Sequence, residues 1–587
     1  MSHSQEYLDG LRHSCAHLLA AAVEQLYPEV KKTIGPSIEN GFYFDFDFGD
    51  VVVSEKDFPR IQKRMKKILN TWKGFERHEL TVDEVKEEYA GNEYKLEMID
   101  EFAEEGKILT VYQSGEYRDL CRGGHVDEDP KQAMKHFKLL SVAGAYWRGD
   151  ENNPMLTRIY GTSFPSAEEL QAHLTMLEEA KKRDHRKLGK ELDLFTFSDK
   201  VGAGLPLWTP RGTFLRNILE NYVWELRQER GYEKVEIPHI TKKDLYETSG
   251  HWAKYSEDLF KINTREGHEF AMKPMNCPHH TQIFDRKPHS YREMPQRYAN
   301  TTMVYRDEQT GELHGLSRVR SITQDDAHVF CRESQIKEEM LKIWDIIEHF
   351  YGAVGFGELK IRLSLRDPQT PEKYLGSDES WELMEGAIRQ LVEEKGIENP
   401  IEGLGEAAFY GPKIDFMTRD SIGREWQVAT IQIDKNQPES FDLHCINEEG
   451  EQERIVMIHA AIMGSIERFL SIFIEHHAGA FPLWTAPVQI QLIPVGEGHR
   501  DYAASLAEEF ESAGLRVEVD NADESVGKKI RRAVKAKVPY QLVIGDKEMS
   551  SEDLMVRKRG EEDASPIAKA AFIASVQELI AHKSISL

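Results

Sequence analysis

Cysteine is scarce in this sequence, with five residues spread over 587 positions: Cys15, Cys121, Cys277, Cys331 and Cys445. So few thiols in so long a chain exclude a disulfide-stapled fold and favour a reducing compartment. Long apolar runs are also missing, because no stretch approaches the ~20 residues that span a bilayer. The N-terminus, MSHSQEYLDG, has neither the basic start nor the apolar stretch of a secretory signal. We therefore expect a cytoplasmic protein that has no membrane segment.

Basic residues are in deficit, with 75 against 101 acidic residues and a net charge of −26. An even distribution of this charge would exclude a polyanionic partner. However, KKIRRAVKAK (528–537) places six bases in ten residues without an acid. Salt screens long-range repulsion within about 8–10 Å, so such a local patch can bind phosphate. The same run is equally typical of a solvated helix face, and alone it does not decide between the two.

The length predicts three to five domains, at roughly 100–200 residues each. Residues 1–165 indicate a mixed α/β unit, with a helix in LRHSCAHLLAAAVEQLYPEV and a half-buried strand in GFYFDFDF. Residues 166–192 predict one helical connector with a basic cluster at its end. The longest unit covers 193–482, and residues 487–587 alternate strand with helix. That alternation predicts a small parallel α/β domain.

The long unit opens with a helix over TPRGTFLRNILENYVWELRQERGY. Its apolar residues Phe214, Ile218, Tyr222 and Leu226 recur at four-residue spacing, which is typical of a helix. Gly231 is placed to end the helix.

Two later segments point to nucleotide chemistry. MVYRDEQTGELHGLSRVRSITQDDAHVF (303–330) predicts two strands around a polar loop that carries arginines, and GSIERFLSIFIE (464–475) predicts an apolar helix with Arg468 in its first turn. Arginines can bind phosphate oxygens bidentately and stabilise charge as pyrophosphate leaves. A surface hairpin would account for the first segment alone, but it does not account for an arginine inside an apolar helix.

With the Gly212 helix and the EIPHI strand ending at Pro238, these segments resemble the three motifs of class II aminoacyl-tRNA synthetases. SGHWAKYSEDLF, MKPMNCPHH, ELHGLSRVRSITQDDAHVFC, FYGPKIDF and HRKLGKELDLF resemble the threonyl-tRNA synthetase family over nearly the whole chain. The resemblance implies an α/β multidomain (α+β) fold, in which helices flank a class II antiparallel sheet. An α+β editing domain would precede it and an α/β anticodon-binding domain would follow. The implied activity is ATP-dependent attachment of L-threonine to tRNA(Thr) through threonyl-adenylate, with hydrolysis of seryl-tRNA(Thr).

The resemblance also implies an ATP site. Arg306 is expected to contact the α-phosphate and Glu308 the adenine, with Mg²⁺ accompanying the nucleotide. Arg318 and Arg468 would bind the polyphosphate or stack on the base, and Gln324 would position the substrates. The catalytic residues implied in this way are Arg306, Arg468, Gln324 and Lys413.

By the same resemblance, Cys277, His328 and His459 bind one Zn²⁺ per subunit. Three protein ligands and one open position are the arrangement of catalytic zinc. Threonine can offer its hydroxyl to the metal and valine cannot, so such a site can reject valine by about 10⁴–10⁵. The implied threonine pocket comprises Met275, Asp326, Tyr410, Thr430 and Gln432, with Lys413 beside them.

Serine lacks only a methyl group, which is worth about 10–200-fold discrimination, so a second hydrolytic site is expected. His13 and His17 lie at i and i+4 of one predicted helix, and RDLCRGGH supplies Cys121 and His125. As a bare pattern these four side chains favour a structural zinc site. The resemblance instead implies a metal-free editing pocket, whose members are His13, His17, Lys95, Asp119, Cys121 and His125.

The last domain resembles the anticodon-binding domain shared with prolyl-, histidyl- and glycyl-tRNA synthetases, and its implied contacts are Arg531, Glu548 and Arg557. The first motif helix, near Pro210, is expected to form a homodimer interface. Where many family members begin with a β-grasp domain, this sequence begins with the editing domain.

The sequence also departs from the family pattern at His279, Ala460 and Ala522, and His279 is an alternative metal ligand beside Cys277. The rival interpretations are a catalytically silent tRNA-binding paralogue, a stand-alone editing hydrolase, and a prolyl- or seryl-tRNA synthetase.

Overall fold

The structure is a computed structural model that describes residues 3–150 and 152–587. The chain divides into two compact units, of which the first ends at Glu178 and the second spans Glu179–Leu587. Within the described residues, no helix has both the length and the apolar character needed to cross a bilayer.

The first unit is built from helices and two antiparallel sheets. Its helices are α1 (Gln5–Leu26), α2 (Phe58–Leu69), α3 (Val82–Glu88), α4 (Glu93–Glu104) and α5 (Pro130–Ala133). Its strands are β1 (Lys31–Lys32), β2 (Ser37–Ile38), β3 (Gly41–Asp47), β4 (Glu76–Glu79), β5 (Thr110–Ser114), β6 (Tyr117–Leu120), β7 (Phe137–Tyr146) and β8 (Met155–Ser163). One sheet has the order β1-β3-β8-β7, with β2 paired to β3, and the other has the order β4-β5-β6.

Helix α1 forms the centre of the first unit because its middle is small and apolar. Ser4 caps it by accepting a hydrogen bond from the Tyr7 amide. Residues 18–23 are buried, and they pack with the phenylalanines of β3 in one core. The predicted helix and the predicted strand in this unit are thereby confirmed.

The connector consists of two helices, α6 (Ala167–Arg183) and α7 (His185–Glu191), so the prediction of one continuous helix was wrong. Asp184 leaves the helical conformation and caps α7, accepting a hydrogen bond from the Arg186 amide. An aspartate side chain can replace a helical hydrogen bond of the backbone in this way. The apolar spacing on which the prediction rested does not include this effect.

The central part of the second unit carries a sheet in the order β11-β15-β16-β23-β20-β19-β17-β18. Its pairs are antiparallel except at the two ends, where β11 joins β15 and β18 joins β17 in parallel. The strands of this sheet are β11 (Glu233–Lys234), β15 (Gln296–Tyr305), β16 (Ser321–Cys331), β17 (Lys360–Leu365), β18 (Ile401–Leu404), β19 (Lys413–Arg419), β20 (Glu425–Asp434) and β23 (Val456–Ser465).

Helices and small sheets surround it. The helices are α8 (Pro210–Gln228), α9 (Lys243–Thr248), α10 (His251–Lys254), α11 (Cys277–Phe284), α12 (Ile336–Val354), α13 (Asp378–Glu394), α14 (Asn436–Ser440) and α15 (Ile466–His476). The additional strands are β9 (Phe195–Thr196), β10 (Leu207–Trp208), β12 (Ile240–Lys242), β13 (Lys261–Asn263), β14 (Glu269–Met272), β21 (His444–Ile446) and β22 (Gln452–Arg454). The predicted strand over EIPHI is not formed at 236–239, where Pro238 has no amide proton to donate.

Helix α8 forms as predicted, with Gly231 at a φ of 76° beyond its end. In α8, Leu215, Leu219 and Val223 are buried. In the row that begins one residue earlier, Phe214, Ile218 and Tyr222 are half-buried, and Leu226 is buried. Both rows satisfy the helical period, so the sequence alone could not decide which one faces the core.

The C-terminal part contains β24 (Ile490–Pro494), α16 (Arg500–Ser512), β25 (Val517–Val519), α17 (Val526–Lys535), β26 (Tyr540–Ile544), α18 (Asp546–Met549), β27 (Asp553–Lys558), β28 (Ser565–Ala568) and α19 (Lys569–Ala581). Strands β25, β24 and β26 are parallel as predicted, but β27 and β28 join them antiparallel. Of the basic run in α17, Lys529 is buried and donates a hydrogen bond to the Pro494 carbonyl.

The segment before β24 is held by the C-terminal part. Arg516 donates to the main-chain carbonyls of Leu483, Trp484 and Ala486. On the other side of the boundary, Arg211 of α8 pairs with Glu518 of β25 at 2.7 Å. The segment therefore forms a fixed joint between α8 and the C-terminal sheet.

Candidate active sites

The register of the large sheet aligns several of the predicted site residues in one row. His328 on β16 is the direct partner of His459 on β23, and His459 is the direct partner of Gln432 on β20. Gln432 in turn pairs with Lys413 on β19. Side chains of directly opposite residues emerge on the same face of a sheet. Positions 328, 459, 432 and 413, which are far apart in sequence, therefore share one face.

Cys277 joins this row from the first turn of α11. The ligand atoms of Cys277, His328 and His459 lie within 4.8 Å of one another, and all three side chains are buried. His328 Nε2 and His459 Nδ1 are 3.1 Å apart. Two nitrogens bound at 2.0–2.1 Å to one tetrahedral zinc are about 3.4 Å apart, so the spacing fits this metal. We call Cys277, His328 and His459 the sheet cluster.

Two buried side chains orient the histidines of the sheet cluster. Asp434 accepts from His459 Nε2 at 3.0 Å, which leaves Nδ1 to face the cluster. His280 Nδ1 lies 2.8 Å from His328 Nδ1, which leaves His328 Nε2 facing the cluster. Metal-binding histidines commonly have their second ring nitrogen fixed in this way. His279, the alternative ligand, is not part of the cluster, and its ring stacks edge-on against Tyr246.

A cavity of about 530 Å³ opens beside this row. Arg306, Gln324 and Arg468 line it. Among the described residues, no acceptor reaches Arg306 Nε, and no donor reaches Gln324 Oε1. Burial lowers the pKa of Arg468. Cationic groups held without a counter-ion at a cavity wall are suited to bind an anion such as a phosphate.

The other two residues of the predicted ATP site are present in the same cavity, but they contact each other. Arg318 donates to Glu308 at 2.7 Å and to Glu312 at 2.9 Å. Lys413 is turned to the buried Asp415 at 2.7 Å, and Thr430 donates to the same carboxylate. Arg318 and Lys413 are therefore each held by a carboxylate, and each has further N–H donors that can contact a ligand.

The predicted threonine pocket surrounds the sheet cluster. Asn276 donates to Asp326 Oδ2 at 3.2 Å, and burial raises the Asp326 pKa to about 6. Tyr410 donates to Gln432 at 3.1 Å. Met275 Sδ lies 3.1 Å from His251 Nε2. These groups are neutral or anionic, which suits recognition of an ammonium and a hydroxyl.

A second cluster lies in the first unit. His13 Nε2 is 3.0 Å from Cys121 Sγ, and Cys121 Sγ is 3.4 Å from His125 Nε2. The His17 ring lies edge-on to the rings of His13 and His125. Its cavity of about 380 Å³ is lined by His13, His17, Lys95, Asp119 and Cys121. We call His13, His17, Cys121 and His125 the N-terminal cluster.

Buried charged groups lie beside the N-terminal cluster. Lys95 pairs with Asp119 at 2.9 Å, both side chains are 2 % exposed, and Lys32 lies near the same carboxylate. Burial lowers the pKa of His17 well below its ordinary value, and Lys95 and Lys32 lower it further. The second nitrogen of His125 is held by the Ser14 hydroxyl, not by a carboxylate. The ligand atoms of the four side chains also lie within 4.8 Å of one another, so the geometry alone does not separate a metal site from a metal-free pocket.

Comparison with known proteins places these geometries in a family. Residues 260–477 match the class II core domain of tRNA synthetases (G, H, P, S and T), residues 489–579 match an anticodon-binding domain, and residues 109–160 match the second additional domain of threonyl and alanyl tRNA synthetases. A threonine–tRNA ligase of Porphyromonas gingivalis is 50 % identical over 571 residues, covering 96 % of this chain and 87 % of the relative. The chain belongs to the threonine–tRNA ligase family.

Further relatives agree with this membership. A threonine–tRNA ligase of Staphylococcus carnosus is 48 % identical over 97 % of this chain and 88 % of its own length. A threonyl-tRNA synthetase RNA-binding domain structure from Cryptosporidium parvum is 35 % identical with a TM-score of 0.64, covering 68 % of this chain and 98 % of that chain. A Giardia lamblia prolyl-tRNA synthetase, 17 % identical with a TM-score of 0.54 over 70 % and 80 % of the two chains, shares the fold. The predicted fold class is confirmed, and nothing favours a silent paralogue of this ligase family.

The predicted anticodon residues of the threonine–tRNA ligase domain lie on three elements around β26. Arg531 is exposed on α17, and Glu548 lies on α18 directly after β26. Arg557 on β27 pairs in register with Gln541 on β26. Glu548 accepts from its own turn at the Gly545 amide, and Arg557 donates to the Glu561 carbonyl.

Among the residues of the ligase that contact predicted site residues, His280, Asp434 and Asp415 were not predicted from the sequence. His280 is visible in NCPHH, and its position one residue after His279 was the available signal. Asp415 lies in FYGPKIDF, two residues after Lys413, and that spacing was the available signal. Asp434 carried no local signal, because its position depends on strand register and on the turn after β20.

Proposed function

We propose that this chain activates L-threonine with ATP on the large sheet and transfers it to tRNA(Thr). The single observation that carries the assignment is one sheet face that joins a Cys/His/His donor set to a cavity with unpaired arginines. The first half provides recognition of a side-chain hydroxyl, and the second half provides recognition of a polyphosphate. An enzyme that adenylates a small hydroxyl amino acid needs both on one surface.

In the first half-reaction the threonine carboxylate attacks the α-phosphorus of ATP, and the bond to pyrophosphate breaks. Arg306 and Arg468 bind phosphate oxygens at the cavity wall and stabilise the charge that develops there. Gln324 orients the reactants, and Mg²⁺ enters with the nucleotide. Glu308 receives the adenine once Arg318 releases it to contact the polyphosphate. In the second half-reaction a ribose hydroxyl of tRNA attacks the adenylate carbonyl, and AMP leaves.

Cys277, His328 and His459 of the sheet cluster would hold one Zn²⁺, which would supply a Lewis acid for recognition of the threonine hydroxyl. Asp326 accepts the ammonium, while Tyr410, Gln432, Thr430, Met275 and Lys413 shape the rest of the pocket. Valine is excluded because it leaves the position for the hydroxyl unfilled.

The N-terminal cavity hydrolyses seryl-tRNA(Thr). His13, His17 and His125 are neutral at physiological pH, because burial lowers the pKa of each ring. Neutral imidazoles can accept a proton from water, and the buried Lys95–Asp119 pair can orient the terminal ribose. Cys121 is a protonated thiol here, since burial raises its pKa to about 11.

Each proposed activity is assigned to one segment of the chain. We assign residues 1–165 to editing, 166–192 to the connector, 193–482 to aminoacylation and 487–587 to anticodon binding through Arg531, Glu548 and Arg557. We further propose a cytoplasmic homodimer that associates near α8. Sedimentation at micromolar concentration tests the dimer, and a monomer would contradict it.

An amino-acid panel in ATP–pyrophosphate exchange, with and without a zinc chelator, tests the main proposal. We expect exchange with threonine, weaker exchange with serine and none with valine. Chelation should abolish the threonine signal. A silent paralogue would give no exchange with any amino acid, and a stand-alone editing hydrolase would only deacylate seryl-tRNA.

A further inference from the structure

The phosphate-binding arginines stand on two separate elements. Arg306 and Arg318 belong to the loop at 306–320 between β15 and β16, and Arg468 belongs to the first turn of α15. We propose that His185, outside the cavity, is a positioning residue that holds this loop against α15 for ATP binding. The inference rests on the proposed function and deepens it.

His185 is the first residue of α7 and is 2 % exposed. Both of its ring nitrogens are engaged. Nδ1 lies 2.6 Å from Glu475 Oε1, and Nε2 accepts a hydrogen bond from the Leu316 amide at 3.0 Å. These partners fix one tautomer, because the carboxylate needs a donor and the amide needs an acceptor. A neutral imidazole with its proton on Nδ1 satisfies both groups at once.

The backbone of the loop also lies close to the His185 ring at Gly315. Gly315 has a φ of 51°, and a Cβ on it would lie 2.2 Å from His185 Nε2. The backbone can approach the imidazole only because this position is glycine. The Leu316 side chain is fully buried, so the loop is anchored here two residues before Arg318.

Glu475 carries the contact to α15. It lies in the last turn of the helix that presents Arg468, and it also accepts from the His185 amide at 3.0 Å and from Arg424 at 2.5 Å. Burial opposes its ionisation, yet the hydrogen bonds from His185 and Arg424 lower its pKa overall. Glu475 is therefore an anion whose oxygens are both occupied.

A metal site is the rival interpretation, because ligand atoms of Asp184, His185 and Glu475 lie within 4.8 Å of one another. The hydrogen bonds argue against it. Asp184 caps α7 and binds the Arg186 guanidinium, both His185 nitrogens are taken, and Arg424 holds the second oxygen of Glu475. A metal ion would have to displace at least one existing interaction at each of the three residues.

Two substitutions of His185 in the full-length chain test the contacts of its two ring nitrogens separately. The Asn side chain in His185→Asn can replace Nδ1 as donor to Glu475, but it leaves the Leu316 amide without an acceptor. The longer amide in His185→Gln can place its oxygen near the position of Nε2. We expect His185→Asn to raise the KM for ATP in threonine-dependent exchange by about 2–12-fold, which corresponds to the net loss of one hydrogen bond. The KM for threonine should stay within about twofold, and His185→Gln should recover most of the ATP affinity.

His349→Asn is the matched control, because His349 is an exposed histidine on α12 and receives the same chemical change. It should leave both KM values unchanged. Equal losses in both KM values, a fall in kcat at constant KM for ATP, or no difference between the two His185 variants would overturn the proposal. Early melting with normal ATP affinity would do the same. Failure of the wild-type chain to exchange with threonine would instead refute the proposed function.

Discussion

Asp434 and His459 form a buried pair in which the carboxylate fixes which nitrogen of the ring faces the sheet cluster. Oδ2 of Asp434 lies 3.0 Å from His459 Nε2, and the opposite ring nitrogen lies 3.1 Å from His328. Asp434 is fully buried and also accepts from two amides at the start of α14. The sheet cluster is therefore oriented by a residue that is not itself a predicted ligand.

Replacing Asp434 should weaken metal binding without removing a ligand. We expect Asp434→Asn to lower zinc affinity about 10–100-fold, because the amide no longer holds the His459 tautomer through a charged acceptor. Competition with a chromogenic chelator measures this directly. Asp50→Asn, an exposed aspartate in the first unit, is the control, and equal zinc affinity in both variants would contradict the orienting role.

Removing two imidazoles from the N-terminal cluster should separate the two activities. His13→Ala with His17→Ala should leave threonine-dependent exchange near wild type and let seryl-tRNA accumulate, since the first site discriminates serine only about 10–200-fold. Valine should remain excluded. Zinc content should stay at one per chain, because the cluster holds no metal in our proposal. A loss of zinc, or normal seryl-tRNA deacylation, would refute the assignment.

Removing the charge of Lys95 from the buried Lys95–Asp119 pair should lower the free energy of unfolding. Lys95→Met leaves a carboxylate that is 2 % exposed with weaker compensation, at a cost of about 3–5 kcal/mol in unfolding free energy. The control is Lys86→Met, which breaks the half-exposed pair with Asp100 in the same unit and should cost about 1 kcal/mol or less. Urea denaturation compares the two, and similar losses would show that burial of the first pair is not decisive.

The histidines of the N-terminal cluster predict acid sensitivity in the first unit. Burial lowers the pKa of His17, and it lowers that of His125 to about 3. The folded state therefore binds fewer protons than the unfolded chain, whose histidines titrate near 6.5. The stabilisation is complete above that value and is lost as the pH falls toward 3, by about 1.4 kcal/mol per pH unit for each ring.

Hydrogen exchange of α1 between pH 7 and 4.5 measures this loss. His17→Gln should flatten the dependence, and the exposed control His268→Gln should not. A wild-type α1 whose protection does not change over this range would contradict the prediction.

Local patterns in the sequence predicted where helices and strands form better than which face of a helix is buried. The period of α8 was right, but Phe214 and Leu215 begin two apolar rows that differ only in what packs against them. The break at Asp184 depends on one capping carboxylate. The row from His328 to Lys413 depends on register across four strands, which no local spacing encodes. Its members were found through the family resemblance, whereas Asp434 and His185 required the structure.

The joint at residues 483–486 has a mechanical consequence. Its carbonyls are occupied by Arg516, and the Arg211–Glu518 pair spans the same boundary, so this segment has little freedom to act as a hinge. We therefore expect the C-terminal domain and the large sheet to keep one separation when a transfer RNA binds to both.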